Sequence, residues 1–119
     1  MAAPNLKAPT TITGKSALVA LTSTSATQIV ACGSNKALRV TSLFVSNVDG
    51  TNNADITIEY RNASSADFKI ASTLAVPADS TVVILTREQS IWLEESCSLR
   101  ATASAANDLH VVCSYEEVA

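Results

Sequence analysis

Residues 91–115, IWLEESCSLRATASAANDLHVVCSY, decide the fold class. Leu99, Ala101 and Ala103 alternate with Arg100, Thr102 and Ser104. Beyond an Ala105-Ala106-Asn107-Asp108 turn, Leu109, Val111, Cys113 and Tyr115 alternate with His110, Val112, Ser114 and Glu116. Alternation of period two is what a half-buried strand imposes, because successive side chains point to opposite faces of a sheet. The stretch predicts strand, turn, strand, tight loop, strand, with the last two strands neighbours. It contains no glycine and no cluster of catalytic side chains.

The same grammar continues upstream. Residues 16–21 and 27–32 are short apolar runs, closed by Thr22-Ser23-Thr24-Ser25 and Gly33-Ser34-Asn35. Residues 37–48 form the longest strand candidate, with Leu38, Val40, Phe44 and Val48 on one face and Arg39, Thr41, Leu43, Val45 and Asn47 on the other. Bulk on both faces predicts a central strand or one covered on both sides. Asp49-Gly50-Thr51-Asn52-Asn53 predicts a hairpin, since Asp-Gly supplies the positive φ such turns need. The return strand, residues 55–61, points Ile56, Ile58 and Tyr60 inward. Residues 68–76 extend the meander, with Phe68, Ile70, Leu74 and Val76 in phase. After Pro77-Ala78-Asp79-Ser80, residues 81–86 (TVVILT) have the nearly continuous apolar character of a strand buried on both faces.

Eight or nine short strands and no sustained helical periodicity predict a single all-β domain over residues 14–119. It is an antiparallel sandwich, with jelly-roll and immunoglobulin-like topologies both open. Residues 1–13 carry Pro4, Leu6 and Pro9 without periodicity and are expected as an extended N-terminal arm, either frayed or ordered on a neighbouring subunit.

Composition bounds the function. The chain has 119 residues, 28 of them Ser or Thr, and is 47% hydrophobic but only 16% charged. That charge content is below the roughly 25% of ordinary soluble domains, a hint that part of the surface is covered by a partner. A net charge of −3 and eight scattered Lys and Arg argue against nucleic acid, which needs clustered cations to displace counterions. No apolar run approaches the ~20 residues of a membrane span, and the five-residue run after Lys15 is too short for a signal peptide.

Chemistry is thinly represented. Cys32, Cys97 and Cys113 lack CxxC spacing and are expected as small, reduced, buried hydrophobes. A Cys97–Cys113 disulfide is the minority reading. His110 is the one histidine, and a nucleophilic site would have to bring it to Cys32 or Cys97. The oxygen-rich segment from Asp49 to Asp55 lacks the downstream bidentate Glu of a calcium loop. Glu94-Glu95 and Glu116-Glu117 are adjacent pairs whose side chains diverge on a strand. Asn62-Ala63-Ser64 fits a glycosylation acceptor but is expected as loop chemistry. No enzyme, metal or cofactor is expected. Trp92 and Tyr115 are the aromatic interface candidates, core packing being their other reading.

These residues resemble small virion structural proteins of tailed bacteriophages, notably cyanophages and other marine phages. Ser46-Asn47-Val48-Asp49-Gly50, Pro77-Ala78-Asp79-Ser80-Thr81-Val82-Val83, Leu93-Glu94-Glu95 with Leu99-Arg100, and Ser114-Tyr115-Glu116-Glu117 carry the likeness, over residues 43–118. The sequence departs from the pattern at Ser96-Cys97, where Gly-Asp is usual and a left-handed backbone costs Ser more than Gly. The resemblance implies a β-sandwich component of a virion assembled in the host cytoplasm. Its role would be a capsid decoration (cement) protein on the major capsid protein, as a homo-oligomer and in particular a trimer. A neck or tail accessory protein is the alternative. A carbohydrate-binding module is a more distant reading, because such sites expose several aromatic platforms and this chain has one Trp, two Tyr and two Phe.

Overall fold

The computed structural model describes residues 4–119. The first three residues of the expected arm lie outside the described residues. Nine strands follow in chain order: β1 (Ile12–Ala20), β2 (Thr27–Ala31), β3 (Ala37–Asn47), β4 (Ala54–Arg61), β5 (Asp67–Val76), β6 (Thr81–Leu85), β7 (Ile91–Leu93), β8 (Ser98–Ala103) and β9 (Leu109–Val118). One 3-10 turn, Arg87–Gln89, precedes β7, and no α-helix occurs among the described residues. The strands form two antiparallel sheets. One runs β1-β9-β3-β6, with β7 also on β3, and the other runs β2-β8-β4-β5. The all-β sandwich expected from the alternation is therefore the fold.

The chain passes between the sheets at six of its eight connections. The pairs β4–β5, β3–β6, β2–β8 and β1–β9 nest one inside the next. The molecule is thus one long antiparallel ribbon, bent at the β4–β5 turn and rolled so that its halves face each other. This corrects two local expectations. Asp49-Gly50 does not close a hairpin, because β3 and β4 lie in different sheets. No glycine has positive φ; that conformation falls instead on Asn35, Ser65, Thr73, Asp79, Ser96 and Asn107. Likewise β8 and β9 are not neighbours, so Cys97 and Cys113 do not sit on paired strands.

The core lies between the sheets. Val40, Leu43 and Val45 of β3 meet Ile56 and Ile58 of β4, Leu99 and Ala101 of β8, and Leu109, Val111 and Cys113 of β9, all fully buried. β3 is central, as its bulk predicted, but its inward residues change parity. Leu38 and Val40 point in, then Leu43, Val45 and Asn47 do. A bulge against β9 between Val40 and Ser42 inserts one residue, and Thr41 there donates its Oγ1 hydrogen to the Ser114 carbonyl (3.0 Å). The extra residue turns Phe44 outward, against the uninterrupted alternation expected.

β5 and β6 depart most from their sequence. Phe68, Ile70 and Leu74 were in phase for a core, yet all are exposed, and β6 is exposed along much of its length rather than buried on both faces. Each is the edge strand of its sheet, so one side of each faces no neighbour. Ile70, Leu74, Val83 and Ile84 line a shallow open groove between these edges.

Asn47 closes one end of the core. Only 3% exposed, its Nδ2 donates to the Asn52 carbonyl and the Val76 carbonyl (both 2.9 Å), and its Oδ1 accepts the Asp49 amide (2.9 Å). One side chain thereby ties the end of β3, the crossing to β4 and the end of β5.

Candidate interaction surfaces

The N-terminal segment is not uniformly extended. Asn5 nucleates a turn, its carbonyl accepting the Ala8 amide (3.1 Å) and its Oδ1 the Lys7 amide (3.0 Å). The amides of Thr10 and Thr11 then donate to the Ala119 carbonyl (2.7 and 3.2 Å), and β1 begins at Ile12, earlier than the expected Ser16. Pro4 and Leu6 line an apolar depression with Ala37, Trp92 and Leu93. Three expected interface residues, Pro4, Leu6 and Trp92, are thus brought together, with Trp92 41% exposed. Pro9 and Tyr115 are not part of that depression; Tyr115 packs partly buried against the core.

The polar candidates do not converge. His110 is exposed on the outer face of the five-stranded sheet, while Cys32 and Cys97 are buried where β2 leads away from β8. All three cysteines are buried and free, as the small-hydrophobe reading expected. Burial raises the Cys32 thiol and pushes Cys113 up to about 11, so neither is an activated nucleophile. Cys32 and Cys97 are adjacent through their backbones, the Cys32 amide donating to the Cys97 carbonyl (2.9 Å). Tyr60, pushed up to about 12 chiefly by burial, donates its hydroxyl to the Trp92 carbonyl (3.1 Å) and so bridges the sheets.

The carboxylates serve local structure. Asp49 Oδ1 accepts the Thr51 and Asn52 amides (2.8 and 3.3 Å) and its Oδ2 the Asn52 side-chain amide (3.3 Å), bonds that lower its pKa. Glu94 and Glu95 lie in the β7–β8 turn rather than on a strand, and the adjacent Ser96 adopts φ 66°. The turn keeps its left-handed residue although glycine is missing. Glu117 takes Lys15 and Lys36 (3.1 and 3.4 Å), which hold its carboxyl below the usual range, while Glu116 sits opposite Arg39. Asn62 caps the β4–β5 turn through its Oδ1, which accepts the Ser64 and Ala66 amides (3.0 and 2.9 Å).

The two outer faces differ in kind. On the four-stranded sheet, Arg100, Glu59 and Lys69 stand in register as a row of alternating charge, continued by the neutral Gln28. Arg61 grips Asp67 with two bonds (2.8 and 3.0 Å) beside it. On the five-stranded sheet, register aligns Leu18, Val112, Phe44 and Val83 into an apolar row crossing four strands. A hydroxyl row, Ser16, Ser114 and Ser42, flanks it on one side, and Ala20, His110, Ser46 and Thr81 flank it on the other. Charge returns only in the next row, at Glu116 and Arg39. Sequence reading missed this surface because each of the four strands contributes one residue. The available signal was the bulk on both faces of residues 37–48.

No protein-family model matches the chain, and no curated protein does so in sequence. Several solved structures share its fold. A chain of the Bacillus endospore appendages, described as disulfide-linked pili, superposes with TM-score 0.56 at 16% identity, over 91% of this chain and 88% of that one. A chain of the capsid of Helicobacter pylori bacteriophage KHP30 superposes with TM-score 0.56 at 10% identity, over 94% and 90%. A chain of the cyanophage Pam1 capsid gives TM-score 0.43 at 17% identity, over 99% and 91%. At such identities the likeness to the first two shows a common fold.

Proposed function

We propose that this chain is a non-enzymatic structural protein of a phage particle, a jelly roll that decorates the capsid shell. The nested strand pairing supports the jelly-roll topology over the immunoglobulin-like one, since rolling a single ribbon gives two interleaved Greek keys. The observation that carries the functional reading is that Asp49, Asp67 and Glu117 serve turns and ion pairs, the cysteines are buried and His110 stands alone, while an uncharged apolar row lies open on one sheet. The end-to-end superposition on a chain of the KHP30 capsid supports a shell context. The resemblance of its motifs to those of marine phage proteins points the same way.

In this reading the N-terminal segment, seated beside Trp92 and Ala37, is the part that reaches a neighbour in the shell. Deleting residues 1–8 leaves the Thr10 and Thr11 bonds to Ala119 in place, so the domain should keep its melting temperature while binding to purified undecorated shells weakens. Normal coating by the truncated protein would remove the role of the arm. Copy number tests the location: hundreds per particle fit the shell, whereas roughly six or twelve fit the cyclic rings of the neck or tail. Absence from purified particles would sink the virion reading altogether.

A further inference from the structure

We infer that the outer face of the five-stranded sheet is a self-association surface, on which a second copy of this chain docks face to face. The Leu18–Val112–Phe44–Val83 row spans the sheet from β1 to β6, and its ends are open, with Leu18 74% and Val83 50% exposed. The three charge-free rows cover about 19 Å across four strands and about 20 Å along them, or about 760 Å² in total for two copies, the size of a weak, transient contact.

The charges favour a second copy over a charged partner. The apolar row and both flanking rows contain no Lys, Arg, Asp or Glu, so two molecules of net charge −3 meet there without opposing like charges. Under a twofold axis the apolar row lies on its counterpart, and the hydroxyl rows meet each other or the His110 row, with donors and acceptors on both sides. Ser46 and Thr81 already bond across their strands (3.0 Å), so that row is preorganised. The opposite sheet, with its Arg100–Glu59–Lys69 row, has the charge pattern of a face left to solvent. The structure thus argues for a twofold contact where the phage resemblance implied trimers. This contact stands independently of where in a particle the chain sits.

Sedimentation equilibrium of the full chain from about 10 μM to about 1 mM tests it, the range in which a weak, reversible contact of this size is populated. The mass should rise from monomer to dimer. Leu18→Glu and Val83→Lys, both at exposed positions, should each weaken dimerisation at least about tenfold while leaving the melting temperature within a few degrees. Phe68→Lys, on β5 of the other sheet, should leave it unchanged. Two results overturn the inference: wild-type protein that stays monomeric to about 1 mM, or an oligomer indifferent to Leu18→Glu and Val83→Lys. A trimer that Phe68→Lys abolishes would transfer the contact to the β5–β6 edge.

Discussion

Replacing Asn47 with alanine removes the side chain that joins β3, the β3–β4 crossing and β5. The Val76 carbonyl loses a donor in a buried position, at a cost of ~1–3 kcal/mol. The Asn52 carbonyl and Asp49 amide are partly buried and can turn to water, so each adds about 0.5–1 kcal/mol. The total, about 2–5 kcal/mol, is a large fraction of the ~5–15 kcal/mol that holds a domain together. For a domain of this size it corresponds to a fall of about 8–20 °C in melting temperature. Urea titration, read with an unchanged m-value, gives the difference directly. Asn47→Asp should be at least as harmful at neutral pH, because its carboxylate faces two carbonyl oxygens where an amide donated. Asn52→Ala removes only an exposed bond to Asp49 (3.3 Å) and should change stability by less than about 0.5 kcal/mol. If Asn47→Ala lies within about 0.5 kcal/mol of wild type, the bonds drawn here do not hold the sheets together.

Three further predictions follow from burial and charge. Leu43→Ala should cost about 2–5 kcal/mol as a core cavity, whereas Phe68→Ala, at a 60% exposed position, should cost less than about 1 kcal/mol; equal losses in urea would restore β5 to the core. Ser96→Gly should stabilise by roughly 1 kcal/mol by relieving the left-handed backbone of the β7–β8 turn, and a lower melting temperature would show that the Ser side chain matters more than its φ. Because the folded Glu117 carboxyl is held below its ordinary value by Lys15 and Lys36, the stabilisation it gives is present above that value and lost as pH falls through the lowered one. Glu117→Gln should therefore flatten the acid limb of the urea midpoint below the ordinary carboxyl range, and an unchanged limb would show that the pair contributes nothing measurable.

Alternation was a sound guide for β4, β8 and β9, each of which lies inside its sheet. The inward sets Ile56 and Ile58, Leu99 to Ala103, and Leu109 to Cys113 were legible because burial on one face imposes period two on the chain itself. It misled at β5 and β6, edge strands with a neighbour on one side only, whose apolar residues have the right spacing yet stay largely exposed. It also misled beyond Thr41, where a single inserted residue exchanges the faces of β3. Asp49-Gly50 carried the chemistry of a hairpin, but which sheet the next strand joins is a long-range choice that two residues do not encode.

The sequence alone determined the fold class, the strands, the turn at Ser96-Cys97 and the scarcity of catalytic groups, since each is written in local spacing and residue type. Only the tertiary structure decided which strands pair. Pairing sets cross-strand register, and register is what gathers Leu18, Val112, Phe44 and Val83 into one row and leaves His110 apart from every cysteine. A surface assembled from four strands, one residue each, has no signature along the chain. It exists only once the ribbon is rolled.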